Sequence, residues 1–204
     1  MENTSIQEQK SFLRKRAKAE LKNYFEDKAL ALQCAKSASE CFFKSKEYID
    51  SKYIFAYMAM NDEIDMSIVI KKVLQDGKKV LLPRMTEDLK NMDFYFISSL
   101  NDDFTNDNKY KILEPTLNNK KIDINDIPEK SIFLVPGLAF NLEGARLGRG
   151  KGFYDKYLAK IVQKDVIFCG VCTVNVITKA IPIQENDFKM NYLLTEYGFI
   201  SLHR

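Results

Sequence analysis

Apolar residues fall along this chain with two different spacings. Over residues 6–25, Ile6, Phe12, Leu13, Leu21, Tyr24 and Phe25 make a loose apolar face with lysines and arginines elsewhere, which predicts an amphipathic helix. Residues 29–43, rich in alanine, predict a second helix. Residues 52–60 read as a buried strand. Residues 66–75 form an amphipathic helix stopped at Gly77, and residues 79–82 a short strand closed by Pro83. Strands are predicted again over residues 92–97 and 131–135, the second running into Pro136-Gly137. Between them, residues 98–130 are polar, with many Asn and Asp, and predict loops and short elements. A helix over residues 153–163, a strand over 166–174 and a last strand over 191–195 complete the pattern. Strands alternating with helices predict one α/β domain with a largely parallel sheet and helices on both faces. Ligands of such sheets sit beyond the C-terminal ends of the strands, which directs attention to the end of the 131–135 strand.

A length of 204 residues fits one domain, and 46% apolar residues can build its core. The formal net charge of +3 suits an anionic small molecule and is too weak to imply a nucleic-acid binder. The first sixteen residues hold no apolar run of the secretory kind, and no stretch is long enough for a membrane span. The expectation is therefore a cytoplasmic protein with neither nucleic acid nor membrane as partner. Cys34 and Cys41, seven apart in a helix, are expected on one buried face. Cys169 and Cys172 form a CxxC inside a predicted strand, where odd spacing sends the side chains to opposite faces; they read as buried structural thiols. The single histidine, His203, reads as a solvated tail residue. Mechanisms built on a histidine base then have no base, whereas phosphoryl transfer, which relies on positioning and charge neutralisation, stays open.

Five of the eight glycines, Gly137, Gly144, Gly148, Gly150 and Gly152, fall just after the 131–135 strand. Glycines let backbone N–H groups approach a ligand closely, and successive N–H groups can form an anion nest. Arg146, Arg149 and Lys151 add positive charge in the same stretch, and the predicted helix beginning near Phe153 adds the field of its N-terminus. The spacing matches neither GxxxxGK[ST] nor GxGxxG. Asp155, in the first helical turn, reads equally as a dipole partner or as a carboxylate for Mg²⁺.

The run Val135-Pro136-Gly137-Leu138-Ala139-Phe140, then Gly144, then Arg146 through Asp155, resembles the signature of the 5-formyltetrahydrofolate cyclo-ligases. Lys10-x-x-Leu13-Arg14, Asn61-Asp62-Glu63-Ile64-Asp65, Pro83-Arg84, Glu185-Asn186-Asp187 and Leu194-Thr195-Glu196 resemble further parts of that family in the same order. The resemblance implies a three-layer α/β/α sandwich with a mostly parallel sheet, like the sugar-phosphate isomerases and CoA transferases. It implies ATP-dependent closure of 5-formyltetrahydrofolate, with or without a polyglutamyl tail, to 5,10-methenyltetrahydrofolate, through phosphorylation of the formyl oxygen. Carried over residue by residue, it implies nucleotide binding by Lys10, Arg14, Arg146, Leu147, Gly148, Arg149, Gly150, Lys151, Gly152, Phe153 and Tyr154, with Arg149, Lys151 and Arg146 acting in the chemistry. It implies folate binding by Met58, Glu63 and Tyr154, Mg²⁺ binding by Asp155 and Asp187, and a monomer. Phe153 stands where many relatives have tyrosine, so a hydroxyl there is lost, and Asn191 stands where an aspartate is common, which leaves the late acidic role to Asp187. Residues 173–180 lack the glutamine the family pattern has and contribute no site residue. Three other readings remain at this point: an ATP-independent isomerase or transferase on the same fold, an RNA-binding module built on the Arg-Gly-Arg-Gly-Lys-Gly run, and a folate carrier without catalysis.

Overall fold

The computed structural model describes residues 5–184 and 187–202, so Glu185, Asn186 and His203 lie outside the described residues. Helix α1 (Ile6–Glu26) starts at Ser5, whose hydroxyl accepts from the Glu8 amide while the Glu8 carboxylate accepts from the Ser5 amide. Such a capping box is worth about 1 kcal/mol and fixes where the helix begins, and hence which face carries Lys10 and Arg14. Asp27 ends α1 and caps α2 (Lys28–Phe43) by accepting from the Ala29 and Leu30 amides at 2.9 and 3.0 Å. A short α3 (Lys46–Asp50) leads into β1 (Tyr53–Phe55). Then come α4 (Ser67–Gln75), β2 (Lys79–Met85) and β3 (Met92–Ile97), followed by a small hairpin of β4 (Phe104–Thr105) and β5 (Glu114–Pro115). Strand β6 (Ile132–Pro136) precedes a second small hairpin, β7 (Ala139–Phe140) with β8 (Arg146–Leu147). Helix α5 (Phe153–Ala159), β9 (Ile167–Val171), β10 (Tyr192–Thr195) and β11 (Gly198–Ser201) end the fold.

The main sheet has the order β11-β10-β9-β6-β1-β2-β3. The five inner strands are mutually parallel, and β3 and β11 close the two edges antiparallel. Helices cover both faces, giving the α/β/α sandwich expected from the sequence. The chain leaves β1 towards β2 on one side, and leaves β6 towards β9 and β10 on the other. The order therefore reverses between β1 and β6, and a crevice opens there at the C-terminal strand ends. Beneath it, the Phe55 and Phe133 rings stack 3.9 Å apart, and Phe94 meets both edge-on. Tyr157 packs on Phe94 at 4.9 Å and seats α5 on this aromatic layer. No helix among the described residues is long and apolar enough to cross a membrane.

Several predicted bounds change for physical reasons. The strand expected over 52–60 stops at Phe55. The Ala56 amide still reaches the Leu81 carbonyl at 2.9 Å, after which the chain leaves the sheet. Tyr57, Met58 and Met60 line a cavity, and periodicity alone does not separate such a lining from strand burial. Strand β2 runs past Pro83 to Met85. Its pairing with β1 ends at Leu81, so Pro83 has no β1 residue beside it and its missing N–H removes no bond there. The helix expected to reach 163 ends at Ala159, where Lys160 and Ile161 make tighter bonds to Tyr157 and Leu158. All four cysteines are free. Cys34, Cys169 and Cys172 are buried as expected, but Cys41 is only half-buried.

Candidate active site

Three chain segments converge on the crevice. The first follows β1. The Tyr57 hydroxyl donates to the Ile64 carbonyl at 3.0 Å, Glu63 Oε2 accepts from the Met60 amide at 3.0 Å, and the Glu63 amide donates to the Met60 carbonyl. These bonds set the acidic turn Asn61-Asp62-Glu63 at the crevice. The second follows β6. The β7–β8 hairpin is turned by Asn141, whose side-chain oxygen accepts from the Glu143 and Ala145 amides, and it delivers residues 148–152 to the crevice mouth. The third is α1, whose Arg14 Nε donates to the Gly148 carbonyl at 2.9 Å and whose buried Lys10 pairs with Asp187.

Glycine is needed in the second segment for two separate reasons. A Cβ on Gly148 would lie 2.9 Å from a guanidinium nitrogen of Arg146, and Gly150 has φ +92° with the Arg14 guanidinium 3.4 Å from where its Cβ would be. Among the described residues, the amides of Arg149, Gly150, Lys151 and Gly152 donate to no acceptor. The loop thus holds a row of N–H groups open to an anion.

The three cations of this loop have different surroundings. Arg149 is gripped by the acidic turn: its Nη1 and Nη2 donate to the two oxygens of Asp62 at 3.2 and 2.5 Å, and its Nε and Nη2 donate to Glu63 Oε1 at 3.2 and 3.0 Å. Arg146 is buried; it donates to the Pro136 carbonyl at 3.1 Å and to Asp155 Oδ1 at 2.8 Å, and its Nε has no partner among the described residues. Lys151 is exposed and pairs with no acid among the described residues; its ammonium lies 6.0 Å from the Tyr110 ring. Burial pushes the Glu63 carboxyl above its ordinary value, against the opposing pull of Arg149 and the Met60 amide.

Between the glycine loop and the acidic turn lies a cavity of about 350 Å³. Its apolar lining includes Tyr57, Met58, Met60, Met85 and Met92. Tyr110, Ile112, Leu113 and Glu114, from the polar stretch before β6, close another side, and Tyr110 meets Phe153 edge-on at 6.4 Å. The Tyr154 hydroxyl is buried in this cavity lining without a hydrogen-bond partner among the described residues, and burial raises its pKa, keeping it protonated. A flat, partly apolar molecule with a few polar edges fits such a chamber. The Arg146 Nε and the Tyr154 hydroxyl are orphaned donors of the kind a bound ligand satisfies.

The model of the 5-formyltetrahydrofolate cyclo-ligase family matches residues 6–196. The chain belongs to that family. The mouse 5-formyltetrahydrofolate cyclo-ligase is 29% identical to it over 154 residues, 74% of this chain and 76% of the relative. The Saccharomyces cerevisiae enzyme of the same name is 29% identical over 171 residues, 74% of this chain and 79% of the relative. Among solved structures, the Aquifex aeolicus 5,10-methenyltetrahydrofolate synthetase superimposes with a TM-score of 0.79 at 25% identity, covering 96% of this chain and 93% of that one.

Within this cyclo-ligase fold, the residues singled out in the sequence fall into two groups. Met58, Glu63, Arg146, Gly148, Arg149, Lys151, Gly152, Phe153, Tyr154 and Asp155 all line the cavity. Leu147 is buried in β8, and Gly150 lies against Arg14 at the edge of α1. Lys10 and Asp187 form a separate pair beside the loop, and among the described residues no three carboxylate, histidine or cysteine side chains gather as a metal cage. Asn191 has a structural position: its side-chain oxygen accepts from the Phe168 amide at 2.9 Å and ties β10 to β9. Sequence reading assigned no role to Asp62, although it stands in the acidic turn and carries the charge that meets Arg149. It also passed over Tyr110 and Glu114, which lie in the stretch without periodicity.

Proposed function

We propose that the 146–154 loop holds the phosphates of ATP beside a folate in the adjoining cavity, and that the chain there cyclises 5-formyltetrahydrofolate to 5,10-methenyltetrahydrofolate. Family membership carries the reaction. The observation that supports the siting is the row of amides at residues 149–152 that donate to no acceptor among the described residues, next to a chamber lined by Glu63 and by the Tyr154 hydroxyl, likewise without a partner among them. The formyl oxygen takes the γ-phosphoryl group and ADP leaves. N10 then bonds to the formyl carbon, and phosphate departs with the former formyl oxygen. The enzyme's task is to hold the reacting atoms in line and to neutralise charge spreading over the phosphoryl oxygens. Arg149, Lys151 and Arg146, with the loop amides, are the donors for that charge, and Lys10 and Arg14 extend the cationic surface along α1. Glu63 accepts from the N–H edge of the pterin, Tyr154 hydrogen-bonds or packs on the folate, and Met58 borders it.

In this reading Asp155, on the cavity wall, offers a carboxylate to a magnesium ion, which takes one or two carboxylates and completes its shell with phosphate oxygens and water, whereas Asp187 pairs with Lys10 outside the cavity lining. When bound, the ion neutralises phosphate charge. The half-saturating Mg²⁺ concentration is expected to rise several-fold in Asp155→Asn; an unaltered titration would remove Asp155 from the metal site. Lys18 and Lys151 line the cavity and have no acidic partner among the described residues, which supports acceptance of a polyglutamyl tail. A monomer is the working unit in this reading, and four free cysteines suit the reducing cytoplasm. The deciding assay follows the ultraviolet absorbance of methenyltetrahydrofolate. Signal that requires both ATP and 5-formyltetrahydrofolate is expected; turnover without ATP would overturn the reading.

A further inference from the structure

Arg149 is held by two acids that stand in unequal positions. A guanidinium offers five N–H groups, and Asp62 and Glu63 together take four of them. The one that remains, on Nη1, cannot give a phosphate a two-pronged grip, so one acid must let go when nucleotide binds. Asp62 meets Arg149 fork to fork, with a separate donor on each oxygen. Glu63 takes both of its donors on the single oxygen Oε1, while Oε2 stays on the Met60 amide. Glu63 lines the cavity and Asp62 does not. Losing the Glu63 contact would bare the Nε–Nη2 edge of Arg149 and free a carboxylate oxygen on the cavity wall. Losing the Asp62 contact would bare the Nη1–Nη2 edge instead, but would free no carboxylate on the cavity wall, because Asp62 does not line it.

We propose that Asp62 is a positioning residue, which keeps the Arg149 guanidinium seated at the boundary of loop and cavity while Glu63 is given over to the folate. This rests on the assignment of Arg149 to the phosphates made above. With Asp62 anchoring it, the arginine need only exchange one partner during binding; it does not have to be ordered from solvent. The same contact joins the acidic turn after β1 to the glycine loop after β6, so the two sides of the crevice move together.

The test is a double-mutant cycle with steady-state kinetics on the full chain, using Asp62→Asn, Asp62→Glu, Arg149→Lys and the Asp62→Asn/Arg149→Lys pair, with circular dichroism melts as the folding control. Asp62→Asn is expected to lower kcat about tenfold while KM for 5-formyltetrahydrofolate stays within about twofold, because the cavity walls are intact. Asp62→Glu, which keeps the charge and fork, is expected to recover part of the loss. In the Arg149→Lys background, Asp62→Asn is expected to change kcat by less than about twofold, since the residue through which it acts is already impaired. Equal losses in both backgrounds, or Asp62→Asn turning over within twofold of the wild type, would overturn the proposal and leave the role of Arg149 standing. Wild-type turnover in Arg149→Lys would overturn both together.

Discussion

The cavity has two walls built in different ways. On one, Arg146, Arg149 and Asp155 meet the acidic turn and one another through individually directed bonds, most of them between opposite charges. On the other, Tyr110, Ile112, Leu113 and four methionines present apolar surface with few bonds to fix any one side chain. The first wall depends on address. A charge moved by an ångström or left unpaired in a half-buried place costs several kcal/mol. The second depends on volume. Methionine is unbranched and polarisable, so it fits a flat ring in several ways and tolerates exchange. Charged chemistry at this crevice is therefore expected to be brittle and shape recognition forgiving.

Arg149→Ala should break the first wall most severely. It removes the proposed phosphate donor and leaves Asp62 and Glu63 side by side, so kcat/KM is expected to fall at least about tenfold, more than about 1.4 kcal/mol of transition-state stabilisation. Steady-state kinetics check this, and a change under twofold would move the chemistry elsewhere. The next largest effect is a pH dependence. Burial raises the Glu63 pKa, so the carboxylate that holds Arg149 and, in the proposed reading, meets the folate is protonated at a higher pH than a free glutamate would be. The acidic limb of kcat/KM is expected to lie above the ordinary glutamate value of 4.5, and to flatten in Glu63→Gln. For stability the sign is the reverse of a depressed carboxylate. The Glu63 contribution is fullest below 4.5 and is lost as pH rises through the raised folded value, so melts should shift against the wild type relative to Glu63→Gln over that window.

On the second wall, Tyr110→Ala is expected to raise KM for the folate a few-fold with kcat within about twofold, the mark of uniform binding. A loss confined to kcat would instead make Tyr110 part of the chemistry. The smallest change is expected from Met85→Leu, which conserves volume. Its kcat/KM should stay within about twofold, and its stability within about 1.5 kcal/mol in a denaturant titration.

The same contrast explains what could be read from the chain. The first wall was visible because its glycines and cations are neighbours in sequence, and local clustering needs no knowledge of the fold. Strand alternation likewise disclosed the parallel sheet, since each buried strand carries its own apolar run. Asp62 stood in a motif already in view, but its meaning depends on Arg149, which lies 87 positions along the chain. Tyr110 and Glu114 sit in a stretch whose elements are two or three residues long, too short for any period to show. The β7–β8 hairpin that leads into the glycine loop escaped for the same reason, having only two residues in each strand.

The pairing of Lys10 with Asp187 spans 177 positions. A chain growing from its N-terminus finishes the helix that bears the lysine long before the acid exists, and contacts of such separation close late because ordering the intervening chain comes first.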